Sequence, residues 1–162
     1  MALNLLFTNP LLFIVWIIAV LVTVTIHEFS HALVAVLLGD RTPDEQGRLT
    51  FDPRAHVDMT GLLMLVLVGF GWGRPVHFNP HNLRYPRWGA TLVALAGPLA
   101  NLLGIIFFGG AAVVLLRFHL LAPSNLLIDF LFLLVTLNVV LMLFNLIPIP
   151  PLDGSKVLLD AL

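Results

Sequence analysis

Two histidines and a glutamate stand in the stretch TIHEFSHAL, residues 25–33, in the middle of an apolar run. His27 and His31 are four apart, so a helix carries them on one face, with Glu28 beside the first. This is the H-E-x-x-H spacing, in which two imidazoles grip Zn2+ while the glutamate serves as general base. Such a zinc would acidify a water, Glu28 would accept its proton, and a carbonyl would be attacked. The bland alternative is two polar or packing histidines. The surroundings weigh against it, because ionisable groups within a membrane-spanning helix are costly and by default functional.

Those surroundings are apolar throughout. The 162 residues are 59% hydrophobic and 10% charged, with a mean hydropathy of +1.02; soluble domains carry about 25% charged residues. Residues 11–38, 89–116 and 124–147 form three apolar runs, each longer than the roughly 20 residues that cross a bilayer. From Leu11, His27 lies about 24 Å along a helix, past the middle of the span. Residues 61–73, GLLMLVLVGFGWG, are shorter and glycine-rich, and read as a tilted short span or a re-entrant element. Asn9-Pro10 is a start signal for the first helix and Gly39 a stop. The first run has no Lys or Arg before it and no small-x-small site after it, so it reads as a retained helix and not a cleaved signal peptide. There is no cysteine and no basic cluster, which excludes thiolate chemistry and argues against nucleic acid as a partner.

A catalytic zinc takes three protein ligands and leaves a fourth position open. Asp129, His119, Asp153 and, eight residues before it, Asn145 are the candidates for the third. Asp153 is favoured, because the rigid turn PIPPLDG can hold a carboxylate at the mouth of a helix bundle. Asp153 follows the C-terminal end of the last run, and His27 and His31 are near the C-terminal end of the first. The two ends share a side only if three segments cross and residues 61–73 do not. Charge agrees: Arg41, Arg48, Arg54, Arg74, Arg84, Arg87 and Lys156 then share one side, against Arg117 alone on the other. Excess Lys and Arg marks the cytoplasmic face. The expected architecture is an all-α polytopic membrane protein with three transmembrane helices, a short re-entrant element and short membrane-associated β strands at GRLTF (47–51) and RPVHFN (74–79).

HEFSH, GPLAN (97–101) and NLIPIPPLDG (145–154), in this order and each tied to an apolar run, resemble the site-2 protease family of intramembrane zinc metalloproteases. The resemblance covers residues 10–160 and is to compact bacterial and archaeal members, since the chain has no room for a PDZ insertion. It implies one zinc ion held by His27, His31 and Asp153, with Glu28 catalytic. It assigns Asn101 and Asn145 to substrate or active-site support; from the residues alone, both read first as polar groups in helix packing. It also implies a transmembrane protein substrate cleaved near or within the bilayer of a prokaryotic cell, with the site facing the cytoplasm. Family members often continue past the aspartate motif, whereas this chain stops at Leu162, so the single domain expected over 1–162 is read as one that a longer chain could extend. Homo-oligomerisation is left open.

Peptide hydrolysis requires water at the site and local unwinding of a substrate helix. An extended substrate could add to the edge of GRLTF or RPVHF, in which case Leu49→Pro or Val76→Pro would impair cleavage. His56, His77 and His81 read as loop residues. Two rival functions use the same residues: a divalent-metal transporter, which has no need of Glu28 as a base, and an inactive protease-like scaffold that binds membrane partners.

Overall fold

The computed structural model describes residues 2–161; Met1 and Leu162, the ends of the expected domain, lie outside the described residues. The helices are α1 (Ala2–Thr8), α2 (Pro10–Leu37), α3 (Thr42–Glu45), α4 (Pro53–His56), α5 (Met59–Val68), α6 (Gly89–Arg117), α7 (Leu126–Asn145) and α8 (Asp153–Ala161), with a single 3-10 turn at Pro80–Asn82. Of these, α2, α6 and α7 are long and apolar enough to cross a membrane.

The caps follow from local chemistry. The Asn9 side chain accepts from Leu12 N, Pro10 occupies the first turn of α2, and Gly39 leaves the helix at φ 108°; this is backbone space that glycine enters without steric cost. Asn125 caps α7 in the same way, accepting from Leu127 N. Helices α2, α6 and α7 pack on one another, and α6 also meets α8. Small residues line the contacts, among them Ala19, Ala32, Ala35, Ala94 and Ala112, all buried. With lipid on the outside, close approach of small residues is what holds spanning helices together. Large apolar residues such as Ile14, Leu103, Phe107 and Val140 are exposed, while Thr23, His27, His31, Asn101 and Asn138 are buried between the helices.

Helix α5 has 10 residues, about 15 Å at 1.5 Å per residue, which is half of a hydrocarbon core. It starts on Asp58, which accepts from Gly61 N, and ends on Gly69 at φ 84°. The chain then doubles back: a Cβ on Gly61 would collide with the carbonyl oxygen of Trp72, and one on Gly71 with that of Gly61. Residues 59–73 thus form a short element folded on itself, not a fourth span, which leaves the C-terminal ends of α2 and α7 on the same side of the bundle.

The short strands expected at 47–51 and 74–79 do not form among the described residues; one isolated antiparallel bridge joins Val57 and Gly73. The backbone there finds other partners. Arg48 N donates to Pro43 O, and Arg74 N to His56 O. The Thr50 carbonyl accepts from His56 Nε2. The buried guanidinium of Arg48 donates to the carbonyls of Ala55 and Arg74. Side-chain and loop bonds take up part of the backbone at both stretches in place of a ladder.

Asp40 anchors the same face. It is fully buried and accepts from Thr42 N (3.1 Å) and Thr42 Oγ1 (2.6 Å), Asn82 Nδ2 (3.0 Å) and Asn79 N (2.6 Å), tying the end of α2 to the 79–83 loop. Burial pushes its carboxyl up, but these four bonds outweigh burial and hold it below its ordinary value of 3.8. A carboxylate depressed in the folded state stabilises fully above its ordinary pKa, and that stability is lost as pH falls through the folded value. Asp40→Ala is expected to cost on the order of 1.5–3 kcal/mol, the scale of bonds to a charged acceptor. Asp40→Asn should flatten the loss of thermal stability below about pH 4, the onset set by the ordinary carboxylate value. Melting temperatures across pH 3–7 test both; identical acid limbs for wild type and Asp40→Asn would refute the assignment.

Candidate metal centre

His27 and His31 stand one turn apart on α2, and their Nε2 atoms are 3.1 Å from each other. Asp153, the first residue of α8, brings Oδ2 to 3.2 Å from His27 Nε2 and 3.1 Å from His31 Nε2. The proline corner between α7 and α8 supplies the approach: α7 ends at Asn145, the Pro150–Pro151 peptide is cis, and the chain re-enters helix at Asp153.

The other ring nitrogens are committed. His31 Nδ1 lies 2.7 Å from the Val93 carbonyl oxygen. A carbonyl only accepts, so this Nδ1 carries the proton. His27 Nδ1 lies 2.6 Å from Asn101 Oδ1. With both Nδ1 atoms donating, each neutral ring turns a bare lone pair at Nε2 toward the centre. Asp153 Oδ2 is buried there and has no hydrogen-bond donor. In the neutral rings three electron-rich atoms converge, an arrangement that repels itself unless a proton or a metal cation stands between them. Ligand atoms of a tetrahedral zinc with bonds of about 2.0–2.2 Å are about 3.3–3.6 Å apart, close to the edges of this triangle. Two imidazoles and one carboxylate also match a catalytic zinc's donor set. The residues fit the metal, and among the described residues they are the one group of three or more such side chains that could hold an ion.

Gly97 makes the triangle possible. A Cβ there would collide with His31 Nε2 and His27 Cε1 and come within 2.7 Å of His27 Nε2. The α6 backbone therefore runs directly against both rings. Glu28 is half-buried beside the cluster and its Oε2 accepts from Val76 N at 3.2 Å. That bond fixes the carboxylate against the extended 74–79 segment and occupies an N–H that the sequence reading had offered to substrate.

Asp129 is in the first turn of α7, 16 residues before its end at Asn145, or about 24 Å away. His119 follows α6 at φ 53°, at that same remote end. Neither reaches the triangle. Asn101 is fully buried and links helices, donating from Nδ2 to Asn138 Oδ1 at 2.8 Å. Asn145 donates from Nδ2 to Leu141 O on its own helix. The sequence reading did not single out Val93 or Asn138, and took Gly97 only as the first residue of GPLAN. For Asn138 a signal existed: a carboxamide inside the apolar run LFLLVTLNVVLMLF. A backbone carbonyl such as that of Val93 leaves no such trace.

Comparison with known proteins places this geometry. The model of peptidase family M50, the site-2 protease family, matches residues 119–162. YwhC of Bacillus subtilis, provisionally named a zinc metalloprotease, is 41% identical over 148 residues, 89% of this chain and 67% of that protein. The chain belongs to peptidase family M50. Rip2 of Mycobacterium tuberculosis, named in the same provisional way, is 35% identical over 145 residues, 85% of this chain and 53% of Rip2. Rip2 of Mycolicibacterium smegmatis is 33% identical over 149 residues, 88% of this chain and 55% of that protein. The chain thus spans two thirds of YwhC and about half of the Rip2 proteins. No solved structure matches. Family and helices together make it an integral membrane protein of a metalloprotease family.

Proposed function

We propose that the chain is the catalytic domain, over residues 1–162, of a zinc-dependent intramembrane endopeptidase that hydrolyses a peptide bond of a transmembrane protein. The observation that carries this reading is the triangle of His27 Nε2, His31 Nε2 and Asp153 Oδ2, with edges of 3.1–3.2 Å, beside a glutamate that is not part of it. Bound there, one zinc ion supplies Lewis acidity to water and to the scissile carbonyl.

The protein's own groups do the rest. Asn101 and the Val93 carbonyl hold the two imidazoles with Nε2 inward. Asp153 contributes the negative charge that a dication in an apolar surround requires. Glu28 accepts a proton from the attacking water on its carboxylate and returns it to the leaving amine. Its bond from Val76 N holds one oxygen and leaves the other for that exchange. Asn145, the last residue of α7 before the proline corner, is assigned to substrate or active-site support; its Nδ2 donates to Leu141 O on its own helix. The site faces the cytoplasm of a prokaryotic cell, since seven of the eight Lys and Arg residues lie on its side of the three spans; cytoplasmic segments carry that excess.

The test is cleavage of a model transmembrane peptide by the purified protein in detergent. Cleavage should stop with a zinc chelator and return with added zinc. Zinc flux into proteoliposomes without any cleavage would instead identify a transporter.

A further inference from the structure

His31 takes its tautomer directly from a backbone carbonyl, but His27 does not. Its partner Asn101 could face it with either end of the amide, since a carboxamide both donates and accepts. Something further along must decide. Asn101 Nδ2 lies 2.8 Å from Asn138 Oδ1 on α7. Asn138 is itself fully buried, and its Nδ2 lies 2.7 Å from the Leu134 carbonyl oxygen and 3.4 Å from Thr23 Oγ1. The Leu134 carbonyl can only accept. It therefore holds Nδ2 of Asn138 toward itself and Oδ1 toward Asn101. Asn101 must then present Nδ2 to Asn138 and Oδ1 to His27, and His27 must carry its proton on Nδ1.

We propose that Asn138 is a positioning residue for the metal centre: through Asn101 it transmits the polarity of the Leu134 carbonyl to His27 and leaves His27 Nε2 bare for the cation. Three helices take part, α7 through Leu134 and Asn138, α6 through Asn101 and α2 through His27. Gly104 gives the relay its room, since a Cβ there would stand 2.8 Å from Asn138 Oδ1. The Thr23 hydroxyl is the weaker contact, and the relay does not depend on it. The proposal rests on the metal-site reading only for its consequence; the tautomer itself belongs to the metal-free protein.

The experiment has two readouts on the full chain in detergent. In metal-free protein with 15N-labelled histidine, at a pH where the His27 ring is neutral, its nitrogens should report protonated Nδ1 and bare Nε2. Asn138→Leu should convert this to a mixture while His31 keeps its tautomer. Zinc affinity, measured by competition with a chromophoric chelator, should fall about 10–100-fold, the scale of losing an outer partner of a ligating histidine. In an Asn101→Ala background, Asn138→Leu should change affinity by no more than about twofold, because residues acting through one path are not additive. Thr23→Val should leave both readouts near wild type. Where Asn138→Leu does not fold, Gly104→Ala displaces Asn138 Oδ1 without removing the amide, and should weaken zinc in the same direction. An unchanged His27 tautomer in Asn138→Leu, or full additivity with Asn101→Ala, overturns the relay. A wild-type protein that binds no zinc yet shows the Asn138-dependent tautomer overturns the metal reading and leaves the relay standing.

Discussion

Glu28→Gln should lower peptide cleavage by about 10²–10⁴-fold, the contribution of a positioned general base, while bound zinc stays at the wild-type level. The structure explains why the two readouts separate. Glu28 lies outside the triangle formed by His27, His31 and Asp153. Its Oε2 accepts from Val76 N, and the carbonyl oxygen of a glutamine can accept the same bond. The substitution thus preserves shape and the pose of the 74–79 segment and removes only the capacity to take a proton. Zinc content by elemental analysis and cleavage of a transmembrane peptide, on the same preparations, decide the matter. Equal cleavage by both proteins would mean that Glu28 is not the base, or that a contaminant does the work. Loss of zinc together with activity would place Glu28 among the ligands.

Gly97→Ala should reduce zinc affinity by at least the 10–100-fold of a lesion outside the ligand shell, because it displaces the ligands themselves. The added methyl would overlap His31 Nε2 and His27 Cε1. Relief requires both rings to turn or α6 to withdraw from α2, and either opens the triangle. The fold should survive. Overpacking costs about 1–3 kcal/mol, and replacing glycine by alanine inside a helix returns about 1 kcal/mol. Gly110→Ala is the control, since nothing lies within 4 Å of the Cβ it would add. It should bind zinc normally and melt no lower than wild type. A folded Gly97→Ala protein with wild-type zinc affinity would show that α6 does not run against the rings at this distance.

Much of the architecture was legible along the chain. Run length separates three spans from the 10-residue α5, and glycine and proline positions mark where helices begin and turn. Asn9-Pro10 and Gly39 act through backbone geometry alone, so the boundaries of α2 needed no tertiary knowledge. The two expected strands failed for the opposite reason. His56 supplies a side-chain partner to the Thr50 carbonyl, and strand propensity cannot anticipate that Arg48 turns its own guanidinium to the carbonyls of Ala55 and Arg74. Asp40 was equally silent: nothing along the sequence marks it as the four-bond anchor it is in the fold.

For the site, the sequence by itself determined which side chains can ligate a metal and which end of the bundle they share. His27 and His31 follow from helical spacing, and Asp153 from a scarcity of charge that leaves few rivals. Only the tertiary structure decided that Oδ2 of Asp153 meets both Nε2 atoms, that Gly97 is the floor beneath them, and that Val93 and Asn101 hold their far sides. The physical reason is rotation. A spanning helix is apolar toward lipid and toward its neighbours alike, so hydrophobic periodicity does not say which face turns inward. That choice is made by small residues permitting contact and by buried amides finding partners, 74 residues apart for His27 and Asn101 and 37 apart for Asn101 and Asn138.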